Sequence, residues 1–299
     1  MSRRKGSQTT SFGTPARIAH DSSAYYASRL YQDLPSETPP EPDNPFPEAY
    51  LNQIFLHTAE NMSEIPDRSV HLMITSPPYN VGKDYDNDLT LDEYMKLLER
   101  VFTEVYRVLV HGGRACINVA NLGRKPYIPL SAYIVQLMQD IGFLMRGEII
   151  WHKGAGAGTS MAWGSWLSAR NPVLRDVHEY ILVFSKGSFR REVQEKRSDL
   201  TKEEFMEWTR SVWSFSPESA KRVGHPAPFP VELPLRLIKL YSFVGDIVLD
   251  PFMGSGTTAI AALRTGRYYV GYEVTPAYAE LASRRIALIK SELELYQKG

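Results

Sequence analysis

The chain has 299 residues, 43% of them hydrophobic and 23% charged, which supplies a sizeable buried core at an ordinary charge density. Its 34 basic and 34 acidic side chains cancel, so any grip on a polyanion must come from a local basic face, not from bulk charge. The single cysteine, Cys116, excludes an internal disulfide and a cysteine-cluster zinc site, and no apolar run reaches the ~18 residues of a membrane span. The basic start MSRRKGSQTTSFGT has no apolar segment behind it, so a cytoplasmic protein with no membrane partner and no metal is expected.

Residues 1–50 read as an N-terminal arm or linker, with Arg3, Arg4 and Lys5 in a polar tail followed by the proline- and acid-rich LPSETPPEPDNPFPEAY. Regular patterning begins near Leu51. LNQIFLH is a short strand, and SVHLMITSPPY is an apolar strand halted by Pro77 and Pro78. Leu91, Tyr94, Leu97, Leu98, Val101, Phe102, Val105 and Leu109 recur at helical spacing, with Thr90 as N-cap and Gly112-Gly113 as the expected stop. RACINVA is a strand carrying Cys116 into the core, and IPLSAYIVQLMQDIGF is a helix. LMRGEIIW and HEYILVFS are strands, and VELPLRLIKLYSF is a helix. Then follow the strand DIVLDPF, the helix TTAIAALRTG, the strand RYYVGYEV and a helix from about Pro276 to Tyr296. This alternation predicts one α/β domain over 51–299, built on a parallel, doubly wound sheet. Regularity breaks at 186–224.

Two motifs carry chemistry. In Asp250-Pro251-Phe252-Met253-Gly254-Ser255-Gly256-Thr257-Thr258 a strand ends, the chain turns on glycines, and a helix starts with its free N–H groups exposed. The next strand ends in Glu273, an acid at the spacing that accepts ribose hydroxyls, so a nucleoside-containing ligand is expected here; a dinucleotide fits as well. In Thr75-Ser76-Pro77-Pro78-Tyr79-Asn80 the prolines remove two N–H donors and leave carbonyl oxygens free to accept. Ser76 adds a hydroxyl and Tyr79 an aromatic face, the parts that hold a planar base by its amino group and its ring.

Together, Ser-Pro-Pro-Tyr and Asp-Pro-Phe-Met-Gly-Ser-Gly resemble the amino-group DNA methyltransferases, the N4-cytosine and N6-adenine enzymes. The catalytic motif precedes the cofactor glycines, as in the beta arrangement of that family. The resemblance implies a Rossmann-like domain using S-adenosyl-L-methionine, with double-stranded DNA as partner and a small inserted target-recognition segment at 186–224. Ser76, Pro77, Pro78 and Tyr79 are then catalytic. The cofactor is expected on Asp250, Pro251, Phe252, Gly254, Gly256, Thr257, Thr258 and Glu273, and on His225 and Pro226 of HPAPFP. Thr58 stands where the family has an acid near the cofactor adenine, with Glu60 or Asn61 as substitutes. Serine in the first motif position favours N4-cytosine over N6-adenine. The GAGAGTSMAWGSW loop, with Trp163 and Trp166, is a second candidate for touching DNA. A cognate restriction endonuclease, and a monomer or homodimer, stay open. The rivals are a dehydrogenase, which leaves TSPPY unexplained, a methyltransferase of RNA or protein amides, and a non-catalytic DNA-binding module.

Overall fold

The computed structural model describes residues 26–78, 89–154, 163–192, 195–218 and 229–298, with side chains through Leu295. The chain divides into two compact units, residues 1–36 and 37–299. In the first unit the described part holds one 3-10 turn, Arg29–Tyr31.

In the second unit, eight strands form one sheet: β1 (Gln53–Phe55), β2 (Val70–Thr75), β3 (Leu109–Val119), β6 (Leu144–His152), β7 (His178–Ser185), β8 (Val212–Ser214), β9 (Ile247–Asp250) and β10 (Tyr268–Tyr272). Their order is β1-β10-β9-β2-β3-β7-β6-β8, and β4 (Leu122–Gly123) pairs with β5 (Tyr127–Ile128) in a separate ribbon. β1, β10, β9, β2 and β3 run parallel, whereas β7 runs antiparallel to both β3 and β6. The sheet is therefore mostly parallel. The reversal falls between β6 and β7, which follow one another in the chain and pair as antiparallel neighbours.

Among the described residues the α-helices of this unit are α1 (Leu91–Val108), α2 (Leu130–Ile141), α3 (Lys202–Trp208), α4 (Glu232–Tyr241), α5 (Thr257–Arg264) and α6 (Pro276–Lys298). Alternate strand residues feed two cores, one on each face. Met73, Ala115, Ile117, Leu249 and Val270 pack in the core that contains Leu98, Phe102, Ile134 and Met138 of α1 and α2. Leu72, Ile74, Cys116 and Val248 pack in the other, with Leu237, Ala261 and Ile286 of α4, α5 and α6. A sheet covered on both faces needs this near-continuous apolar strand pattern. Cys116 is fully buried, and burial pushes its thiol pKa up.

Thr90 caps α1 as expected: its side chain accepts from the Glu93 N–H, and Glu93 returns a bond to the Thr90 N–H. The helix stops at Val108, before Gly112-Gly113. The buried run Val108-Leu109-Val110 passes straight into β3, and the glycines fall inside that strand where its register against β2 shifts. Gly112 has φ +74, and a Cβ there would lie 2.5 Å from the Arg190 carbonyl oxygen.

The stretch beyond β7 crosses the amino-terminal edge of the sheet. Lys186 Nζ donates to the Leu109 carbonyl at 2.8 Å, and Lys196 Nζ pairs with Asp246 at 2.7 Å. Arg191 pairs with the same fully buried Asp246. His71 Nδ1 accepts the Ile247 N–H at 3.0 Å, and burial, with Arg191 and Lys196 nearby, lowers its pKa to about 3. The folded state thus binds fewer protons at His71 than the unfolded chain, whose histidine titrates near 6.5. Stability is expected to fall as pH drops from 6.5 toward 3, by about 1.4 kcal/mol per pH unit. His71→Asn, which keeps an acceptor for Ile247, is expected to remove that slope in urea titrations between about pH 7 and 5.

Candidate active site

Two turns meet at the carboxyl edge, where β2 and β9 are neighbours. β2 ends at Thr75 and opens into Ser76-Pro77-Pro78, and β9 ends at Asp250 and opens into the glycine turn before α5. Asp250 ties the two together. Its Oδ1 accepts from Thr75 Oγ1 at 2.7 Å and from the Phe252 N–H at 3.1 Å, and its Oδ2 accepts from Thr258 Oγ1 at 2.6 Å. The carboxyl is 1% exposed, and burial raises its pKa to about 6. Ionised Asp250 therefore costs stability above pH 6, and the cost fades as pH falls toward 3.8. Asp250→Asn lacks this term, since each threonine hydroxyl can turn to accept from an amide. Its stability advantage over the parent at neutral pH is expected to shrink by about 1.4 kcal/mol per unit between about pH 6 and 4.

Between the turns lies a cavity of about 360 Å³. Ser76, Pro77 and Pro78 line it from one side, Pro251, Phe252, Gly254 and Thr257 from another, and Glu273 and Thr58 complete its wall. Glu273, at the end of β10, accepts the Gly254 N–H on Oε2 and the Thr275 N–H on Oε1, both at 2.8 Å. Each oxygen keeps a lone pair for a ligand hydroxyl. The two glycines differ in role. Gly254, at φ 51, borders the cavity. Gly256, at φ 78, caps α5, and a Cβ there would lie 2.9 Å from Ala282 Cβ. Asp250, Gly256 and Thr258 hold the turn without lining the cavity. Tyr79, His225 and Pro226 lie outside the described residues.

At the Thr58 end, its hydroxyl donates to Glu60 Oε1 at 3.0 Å, and Glu60 pairs with Arg100. His57 lies there too, its Nε2 2.7 Å from Glu64 Oε1, with the ring of buried Tyr272 at 5.1 Å. Tyr272 donates its hydroxyl to Glu64 at 3.2 Å. Sequence reasoning singled out Glu60 but missed His57, Glu64 and Tyr272, because one histidine after a short strand has no spacing signature. It also missed a polar row beside Ser76. Asn118 of β3 donates to Glu179 of β7 at 2.6 Å, and Glu179 pairs with Lys153 at 2.5 Å.

Lys186, Arg191 and Lys196 lie at the amino-terminal edge, away from Ser76. Lys202 opens α3, Arg210 lies between α3 and β8, and Lys221 and Arg222 are outside the described residues. Residues 163–177, with Trp163 and Trp166, lead into β7 at the carboxyl edge, the edge of the Ser76 turn.

An acid that can take two ribose hydroxyls, a glycine at the cavity wall and a volume within the ~300–1,000 Å³ of small-molecule sites fit a nucleoside cofactor. With the acceptor turn on the same cavity, fold and site define an S-adenosylmethionine-dependent methyltransferase. Similarity to known proteins gives the family. The chain belongs to the N6/N4 DNA methylase family, whose sequence pattern matches residues 70–284. It is 32% identical to the type II methyltransferase M.MjaI of Methanocaldococcus jannaschii over 281 residues, 79% of this chain and 91% of the relative. It is also 32% identical to the type II methyltransferase M.MthZI of Methanothermobacter thermautotrophicus, over 79% of this chain and 76% of that one. Among solved structures, the Thermus thermophilus protein TTHA0409 complexed with S-adenosyl-L-methionine superposes with a TM-score of 0.65 at 36% identity, covering 80% of this chain and 94% of that one. The cytosine-N4-specific PvuII DNA methyltransferase shares the fold, with a TM-score of 0.62 at 20% identity over 79% and 90% of the two chains. Among the described residues no helix is long and apolar enough to cross a membrane.

Removing the Glu273 carboxylate takes away both proposed ribose contacts. Glu273→Ala is expected to weaken S-adenosylmethionine binding by about 10- to 100-fold in titration calorimetry, the range for charge-assisted hydrogen bonds.

Proposed function

We propose that this enzyme methylates the exocyclic N4 amino group of cytosine in duplex DNA, at one short sequence, by base flipping and direct transfer. The observation that carries the reading is that Ser76, Pro77 and Pro78 line the same cavity as Glu273 and Gly254, so the acceptor turn and the cofactor end share one space. When bound, the cofactor supplies an electrophilic methyl on a sulfonium.

The chain's own residues prepare the amine. An amino group on an aromatic ring is a weak nucleophile because its lone pair is delocalised. The Ser76 hydroxyl and the Pro77 carbonyl accept its hydrogens, draw the nitrogen toward a tetrahedral shape and localise that pair. The cavity walls formed by the Ser76 turn and the 251–257 turn would hold the amine beside the cofactor's methyl group, so that no diffusional encounter is needed. Flipping the base costs a few kcal/mol, which stacking on Tyr79 partly offsets. No covalent enzyme intermediate is needed, in keeping with the burial of Cys116, the chain's one thiol. Serine at the head of the turn favours cytosine, as does the HPAPFP segment. The type II relatives support a further reading, in which a restriction endonuclease of the same specificity accompanies this enzyme.

Single-molecule sequencing of DNA from a methylation-free host expressing the chain tests the assignment. Polymerase-kinetic signals at cytosines within one short sequence are expected. Signals at adenines would move the base to adenine N6, and none, from protein that binds the cofactor, would move the substrate to RNA or protein.

A further inference from the structure

The carboxyl edge carries a feature that methyl transfer leaves unused. Residues 153–177 join β6 to β7 and leave the sheet at the edge of the Ser76 turn, on the far side of β3 from the cofactor cavity. Within them, residues 163–177 form a closed ribbon. Gly164 bridges Pro172, the Ser165 N–H donates to the Asn171 carbonyl at 2.8 Å, and the Val173 N–H donates to the Trp163 carbonyl at 3.0 Å. Gly164 has φ +70, and a Cβ there would lie 2.2 Å from the Asn171 oxygen, so this closure requires glycine.

The base of the ribbon is braced. The Arg175 guanidinium lies 3.7 Å from the Trp163 ring centre, and Arg124, in the β4–β5 hairpin, donates to the Leu174 carbonyl at 3.1 Å and pairs with Asp176 at 2.8 Å. The tip is apolar and in solvent: Trp166 is 65% exposed and Leu167 89%. Leu167 also has φ +50, a conformation that side-chain-bearing residues rarely adopt and that clusters at functional sites. The hairpin and ribbon carry Arg124, Lys125, Arg170 and Arg175 against one acid, Asp176; Arg124 and Arg175 brace the base, and Arg170 follows Leu167 by three positions. An apolar point flanked by cations, beside a turn that receives an extruded base, matches the chemistry of a duplex with one base removed from its stack.

We propose that this ribbon is a DNA wedge: Leu167 and Trp166 enter the duplex beside the target base and fill the space it vacates, while Arg170 and Lys125 hold the flanking phosphates. The proposal rests on the reading above that the target is flipped out of duplex DNA.

The test uses the full chain and a Trp166→Ala/Leu167→Ala variant, with the site that sequencing identifies. Single-turnover methyl transfer is measured on a fully paired duplex and on the same duplex with an abasic position opposite the target base, where less pairing must be broken. On the paired duplex the variant is expected to be slower by about 30-fold or more, the share of unstacking that a wedge supplies. On the abasic duplex the loss should stay within about threefold, with cofactor affinity unchanged. Equal losses on both duplexes, or no loss on the paired one, would overturn the wedge. Should the double variant lose cofactor binding, Leu167→Ala alone, at the most exposed position, replaces it under the same criteria. A parent protein inactive on both duplexes would instead reject the duplex-DNA reading itself.

Discussion

Ser76→Ala is expected to lower single-turnover methyl transfer by about 10²- to 10³-fold, the usual loss when one group that stabilises a transition state is removed. In the proposed function the hydroxyl grips an amino hydrogen, so its effect belongs to the chemical step. S-adenosylmethionine affinity should hold within about twofold, because the proposed cofactor contacts are on Glu273 and the 251–257 turn, as a purely transition-state interaction requires. Ser76→Cys keeps a weak acceptor of similar shape and should recover part of the rate. Full activity of the alanine variant would remove the proposed grip. A parallel fall in cofactor binding would make Ser76 a structural residue of the cavity wall.

Gly256→Ala is expected to cost about 3 kcal/mol of stability, read in urea unfolding, and to weaken cofactor binding along with it. Two terms combine. The φ of 78° is unfavourable for any residue with a Cβ, and that Cβ would stand 2.9 Å from Ala282 Cβ and 3.2 Å from Ala282 Cα. Ala282 is on α6, fully buried, so relief requires moving that helix away from α5. The two terms separate in a double-mutant cycle. Ala282→Gly should cost about 1 kcal/mol alone, yet in the Gly256→Ala background it should restore stability. Strict additivity would mean that the backbone conformation alone excludes alanine.

The stability-versus-pH profile is set by opposed terms. His71 loses stability as pH falls below 6.5, while Asp250 sheds a penalty as pH falls below 6. Asp246, held down to about 2 against burial by Arg191, His71 and Lys196, adds loss only below about pH 4. The two single variants resolve what the parent's profile partly cancels.

Much of the fold and the heart of the site were legible in the chain, because their signals are local. Thr90 and Glu93 announce α1 by a capping box, alternation in Leu72-Met73-Ile74 requires a sheet buried on both faces, and Ser-Pro-Pro and Gly-Ser-Gly are turns by backbone chemistry alone. What lay beyond reach depends on partners distant in sequence. That Thr75 and Thr258 bond the Asp250 carboxylate, and that Ala282 stands against Gly256, no local pattern announces. The reversed direction of β7, likewise, carries Lys186, Arg191 and Lys196 to the edge opposite Ser76. Strand direction decides which loops share an edge, and it is set by non-local pairing that no window of residues contains. Local periodicity and turn chemistry therefore specified the elements and the reactive motifs, whereas the company each side chain keeps, and the edge from which each loop emerges, came from the packed sheet.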